Sequence, residues 1–169
     1  MRRHIFAAIT LTFLAVLEAV VLPRLFGSLP RPNLVLIIAC TWSALRMDEG
    51  FVWALGGGLL LDVFSSTPFG THTAALIVGN LAALILSRFP LPAEFFRVTN
   101  WVAFATIPYH LVQLGFLRID QRPFDGTLAL SGTILPLLVL NPLLSLGAYA
   151  LLSPLQIRLN EEERFARRV

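Results

Sequence analysis

Apolar residues fall in blocks rather than in alternation along this chain of 169 residues. Residues 5–22, 33–47, 50–64, 70–87, 98–117 and 127–152 are each an almost unbroken apolar stretch bounded by proline, glycine or charge. Blocks of this kind predict helices that cross a bilayer. Neither the two-residue alternation of a half-buried strand nor the polar face of a soluble amphipathic helix recurs. The pattern predicts an all-α integral membrane protein, with six transmembrane helices in one compact bundle over 1–153 and a short juxtamembrane helix over 154–169. In that tail Asn160, with Glu163 three residues on, predicts an N-cap, and Glu163 with Arg167 makes a favourable i,i+4 pair. Phe165 and the terminal arginines are expected at the lipid surface.

The blocks are uneven in length. The second and third hold ~15 residues each, about 22 Å of helix against a hydrocarbon core of ~30 Å, which predicts extension by flanking residues, tilt or local thinning of the bilayer. Pro23, Gly27, Pro30 and Pro32 predict a loop after the first block, and Ser65 to Pro68 predict a turn after the third. The acidic turn Asp48-Glu49 is expected to cap the third helix. Pro108 predicts a kink in the fifth helix, and Pro136 with Asn141-Pro142 predicts a sixth span split into two half-helices. The start, Met1-Arg2-Arg3-His4 before an apolar run, resembles a signal peptide. That run is long, carries Glu18 and lacks an Ala-x-Ala exit, so it reads as the first span.

Composition sharpens the class and charge sets a topology. Hydrophobic residues make up 56% of the chain, charged residues 14%, and the mean hydropathy is +0.76. The basic residues are thirteen arginines with no lysine, scattered over loops and tails, which excludes a nucleic-acid-binding face. Nine of them (Arg2, Arg3, Arg46, Arg88, Arg97, Arg158, Arg164, Arg167 and Arg168) flank the side that holds the termini. Four (Arg24, Arg31, Arg118 and Arg122) flank the other, so the positive-inside rule makes both termini cytoplasmic. The single Cys40 has no partner for an intrachain disulfide and reads as a small buried apolar side chain.

The candidate chemistry centres on residues 50–70. Asp62 ends an apolar, glycine-rich segment, and a charge within a membrane helix costs roughly 2.5–3.5 kcal/mol, so it must face protein, water or a partner. Gly56, Gly57 and Gly58 each weaken a helix by roughly 1 kcal/mol relative to alanine, which is tolerated where another helix packs on the bare backbone. With Asp62 and Gly70 they form the expected partner-binding face. Ala75, Gly79, Ala83 and Ser87, at strict four-residue spacing, form an expected helix-packing face. Glu18, Asp62 and His110 lie ~12 or 13 residues, about 20 Å, beyond the cytoplasmic start of their spans. With His72 and Gln113 they define an outward polar cluster, read either as a structural hydrogen-bonded group or as a ligand or partner site. No HExxH, Gly-x-Ser-x-Gly, cysteine pair or P-loop is present, so no catalytic residue, metal or cofactor is expected.

Pro32-Asn33-Leu34 opening one span, Gly50-Phe51 opening the next, then Gly-Leu-Leu-Leu-Asp62 and Phe69-Gly70 before a further span, resemble the bacterial rod shape-determining protein MreD family. The resemblance covers most of the chain in layout and rests in motif on residues 58–70. It implies a non-enzymatic scaffold of the cell-elongation machinery in the plasma membrane. The implied partners are a single-span MreC-like protein and, through it, MreB filaments, RodA and a class B penicillin-binding protein acting in peptidoglycan synthesis. It also implies a six-helix fold similar to the S components of vitamin transporters. The alternative is such an S component, binding a vitamin or metal in an outward cavity and using Ala15 and Ala19 as a small-residue surface for a coupling subunit.

Overall fold

A computed structural model of the chain describes residues 2–86, 94–121 and 126–166, and among these the regular structure is entirely helical. Helix α1 (Arg2–Val16) passes through a π-helical turn (Leu17–Val21) into α2 (Leu22–Phe26). Then follow α3 (Leu34–Leu45), α4 (Gly50–Phe64), α5 (Thr71–Leu86) and α6 (Glu94–Ile119). The last stretch is α7 (Gly126–Ala129), a second π-helical turn (Leu130–Ile134) and α8 (Leu135–Ala166). Three continuous helical stretches are long and apolar enough to cross a membrane: Ile5–Phe26, Phe95–Ile119 and Leu130–Leu159. The apolar helices Leu34–Leu45, Gly50–Phe64 and Thr71–Ile85 are shorter.

A short helix, α3, is the centre of the bundle. Nine of the 12 residues of α3 are buried, and it packs against α1, α4, α5, α6 and α8. At 1.5 Å per residue it is only about 18 Å long. Its neighbours cover its ends, so its backbone groups need not meet lipid. Trp42 on α3 stacks on Trp53 of α4 with ring centroids 4.8 Å apart. Helix α5 packs most extensively on α6. Ala75 and Ala83 are buried, and a Cβ at Gly79 would sit 2.9 Å from the Ala105 carbonyl oxygen, so the expected packing face is an intramolecular one. Its fourth expected member, Ser87, lies outside the described residues, as do Arg88, Arg122, Arg167 and Arg168.

Several expected breaks are absent. The chain stays helical through Pro23, which stands in the first turn of α2, where a proline's missing N–H is least costly. The helix ends instead at Gly27, whose φ of 56° suits glycine. Pro142 and Pro154 lie inside α8; Pro108, where a kink rather than a break is expected, lies within α6. The last span is therefore not split at Asn141-Pro142; its irregularity is the π-helical turn just before Pro136. Asn160 does not open a separate juxtamembrane helix, because α8 runs through it to Ala166. Glu49 does precede α4, but its side chain caps nothing. It accepts from Trp42 Nε1 at 2.9 Å and pairs with Arg46 Nε at 3.4 Å, while Arg97 Nη2 donates to the Ala44 carbonyl at 3.0 Å. The acidic turn thus ties α3 to α4, and Arg97 ties α6 to α3.

Candidate functional site

The end of the bundle opposite that turn gathers the N-termini of α3 and α5, the C-terminal end of α4 and the middle of α6. Helix N-termini leave amide donors unsatisfied, and in an apolar surrounding each such donor requires an acceptor. Asp62, two residues before the end of α4, supplies one set. Its Oδ1 accepts from the His72 amide at 2.8 Å, and its Oδ2 accepts from the Thr73 amide at 3.1 Å and the Thr73 hydroxyl at 2.6 Å. Glu18, on the first π-helical turn, supplies the other: its Oε2 accepts from the Val35 amide at 2.8 Å. Two carboxylates in apolar helices therefore cap two other helices. The extra residue of a π turn re-aims a side chain, and here it lies at the position that reaches α3.

Between the two caps runs a chain of hydrogen bonds, which reaches Glu18 through the Asn33 side chain. His72 Nδ1 lies 2.9 Å from the Tyr109 hydroxyl and 3.1 Å from Gln113 Nε2, which also donates to Tyr109 at 3.1 Å. Gln113 Oε1 lies 3.1 Å from His110 Nδ1, and His110 Nε2 lies 3.1 Å from Asn33 Oδ1. Asn141 Nδ2 donates to Asn33 Oδ1 at 3.0 Å and to Thr106 Oγ1 at 3.3 Å, while the Asn33 amide donates back to Asn141 Oδ1 at 3.2 Å. Tyr109, Thr106 and Asn141 are wholly buried. Both nitrogens of His110 face amide oxygens, whereas a neutral imidazole supplies one N–H. Either the ring carries two protons or the Gln113 amide is turned over, so the proton on His110 and the orientation of Gln113 are one coupled variable.

All five residues expected in the outward polar cluster, Glu18, Asp62, His72, His110 and Gln113, thus belong to one network. Asn33, Thr73, Thr106, Tyr109 and Asn141 belong to it too and were not anticipated. Tyr109 and Gln113 stand four apart on α6 and His110 and Gln113 three apart, spacings that put all three on neighbouring positions of one helix face. Among the described residues no three histidine, cysteine, aspartate or glutamate side chains group as metal ligands. Among the described residues, no fully buried side-chain nitrogen or oxygen of the network lacks a hydrogen-bond partner.

The glycine-rich face requires a correction. A Cβ at Gly58 would lie 2.4 Å from Thr73 Cα, and one at Gly57 would lie 2.6 Å from Val35 Cγ1. Gly56 has Leu11 Cδ1 at 3.8 Å, and Gly70, with φ 94°, makes the turn into α5. Gly57, Gly58 and Asp62 are buried against α1, α3 and α5, so the expected partner-binding face is filled by the chain's own helices. Ala15, expected on a coupling surface, is likewise fully buried in the core.

Compared with family models, curated proteins and solved structures, the chain matches none.

Proposed function

We propose that this chain is a six-span scaffold of the bacterial plasma membrane, with both termini cytoplasmic, which organises cell-elongation proteins as the MreD resemblance implies. One observation carries the reading: the motif over 58–70 that bears the resemblance is built as a closed structural corner. Asp62 is spent on the α5 amides, and Gly58 lets α5 approach α4. A carboxylate whose two oxygens are both engaged, by two backbone amides and a hydroxyl, holds helices in place and has three of its roughly four acceptor sites taken. Activity then falls to the outer faces of the bundle. In this reading the three shorter helices count as spans, wrapped by longer neighbours where the bilayer is locally thin.

A single-span, MreC-like helix needs a face where backbones can approach. Gly147 on α8 is exposed with nothing within 4 Å of a Cβ, and the exposed Leu143 and Leu151 stand one turn to either side. Small residues flanked by leucine favour such packing in lipid. Tagged wild-type protein, coexpressed with a single-span, MreC-like protein, is expected to copurify with it in mild detergent. Gly147→Leu is expected to reduce that retention severalfold without loss of helical signal. If the wild type retains no such protein and instead carries a bound small molecule, the scaffold reading falls and the transporter alternative replaces it.

A further inference from the structure

At the end of the bundle away from the polar network, a cleft of about 70 Å3 opens between α4 and α5 beside the 46–49 turn. Its rim includes Met47, Phe51 and Leu81, each about half exposed and all apolar; its deeper wall includes Ala54, Asn80 and Trp101, all buried. Asn80 is out of place on such a wall. Only 9% of it is exposed, and Trp101 Nε1 donates to its Oδ1 at 3.3 Å, which leaves the Nδ2 hydrogens to be satisfied elsewhere. Among the described residues no group accepts from Nδ2, and this nitrogen is not one of the fully buried atoms without a partner, so it retains some exposure at the cleft wall. The neighbouring Ser43 hydroxyl is no help, since it donates to the Ala39 carbonyl of its own helix at 2.7 Å. An amide donor on the wall of an otherwise apolar cleft is matched by an acceptor carried by whatever fills the cleft.

Size and depth choose the occupant. A helix with its side chains is about 10 Å across, whereas this space is about half the 150 Å3 of an engineered cavity that admits benzene, so it suits a slender chain. Ala54 lies four residues, about 6 Å of helix rise, from Gly50, where α4 leaves the charged turn, and Asn80 lines the same cleft. With the charged 46–49 turn at the bilayer surface, that depth falls at the margin of the hydrocarbon layer, where the acyl esters of glycerolipids lie. We propose that the cleft is a glycerolipid site, in which one acyl chain of the adjacent leaflet lies along Phe51 and Leu81 while its ester carbonyl accepts from Asn80 Nδ2. The proposal rests on the chain lying in a bilayer and is independent of the scaffold reading.

Ester-linked phosphatidylglycerol and its ether-linked analogue, identical except for the carbonyls, compete for the full chain in detergent, with retention read by native mass spectrometry. The wild type is expected to prefer the ester lipid by roughly five- to tenfold, the worth of one neutral hydrogen bond. Asn80→Leu removes the donor and is expected to abolish the preference; Leu81→Trp closes the mouth and is expected to lower retention of both lipids. Equal retention of the two lipids by the wild type overturns the proposal, whether or not either variant folds. So does a photoactivatable acyl chain that labels the protein but never at Phe51 or Leu81. A chain absent from the membrane fraction would instead fail the bilayer reading, so the two failures are distinguishable.

Discussion

Asp62→Leu is expected to destabilise the protein by about 3–5 kcal/mol. The substitution removes an acceptor of three hydrogen bonds and leaves the His72 and Thr73 amides without a partner at the start of α5. Bonds to a charged acceptor contribute about 1.5–3 kcal/mol each, and a stranded buried donor costs about 1–3 kcal/mol. The Thr73 hydroxyl can turn to a new partner, which keeps the total below the sum. Asp62→Asn keeps one acceptor oxygen and is expected to cost about half as much. Denaturant titration of the protein in detergent, followed by far-UV circular dichroism, measures both. A loss under about 1 kcal/mol for the leucine variant would mean that α5 is held by packing alone and that the cap is incidental.

Adding one methyl group along the glycine run is expected to give graded effects that the sequence does not distinguish. Gly58→Ala places a Cβ against the backbone of Thr73, 2.4 Å from its Cα and 2.9 Å from its nitrogen, so two helices must move apart. The cost is expected at the top of the about 1–3 kcal/mol range of overpacked sites. Gly57→Ala meets a methyl of Val35, whose rotamer is stiff, and is expected to cost less. Gly56→Ala meets only Leu11 at ordinary contact distance and is expected to be neutral or to stabilise by up to about 1 kcal/mol through helix propensity. Thermal unfolding of the three variants side by side gives the order 58, 57, 56 in decreasing cost. An order in which Gly56→Ala is the most damaging would contradict the packing described for α4.

The same contrast explains what the sequence discloses. Glu18, Asp62, His72, His110 and Gln113 stand out because polar groups in apolar helices are rare and must be satisfied, and that necessity brings all five into one network. Asn33 and Asn141 were read for their neighbouring prolines, as a span opening and a helix break, although each amide bridges helices. Tyr109 lies in an apolar block with nothing in its spacing to mark it, yet its hydroxyl joins α6 to His72. The glycines announced close approach but not which helix approaches, since periodicity fixes a face and leaves its neighbour open. Proline misled at Pro23, which the first turn of α2 tolerates, and at Pro142 and Pro154, where neighbouring helices support a long helix through residues that would break it in water. The six apolar blocks correspond to the helices found, and three of those helices are long enough to cross a bilayer by length and composition.

The central claim is that Asp62 acts on α5 and not on a ligand or partner, and a double-mutant cycle with Thr73 tests it most directly. Thr73 Oγ1 lies 2.6 Å from Asp62 Oδ2, so Asp62→Ala and Thr73→Ala each remove the same contact. Unfolding free energies of the wild type, both single variants and the double variant, measured in detergent with no partner present, isolate the pairwise contribution. A favourable coupling of about 1–2 kcal/mol is the predicted result. Additivity within about 0.3 kcal/mol, with Asp62→Ala stable yet unable to retain the partner, would contradict the account and return Asp62 to the binding surface.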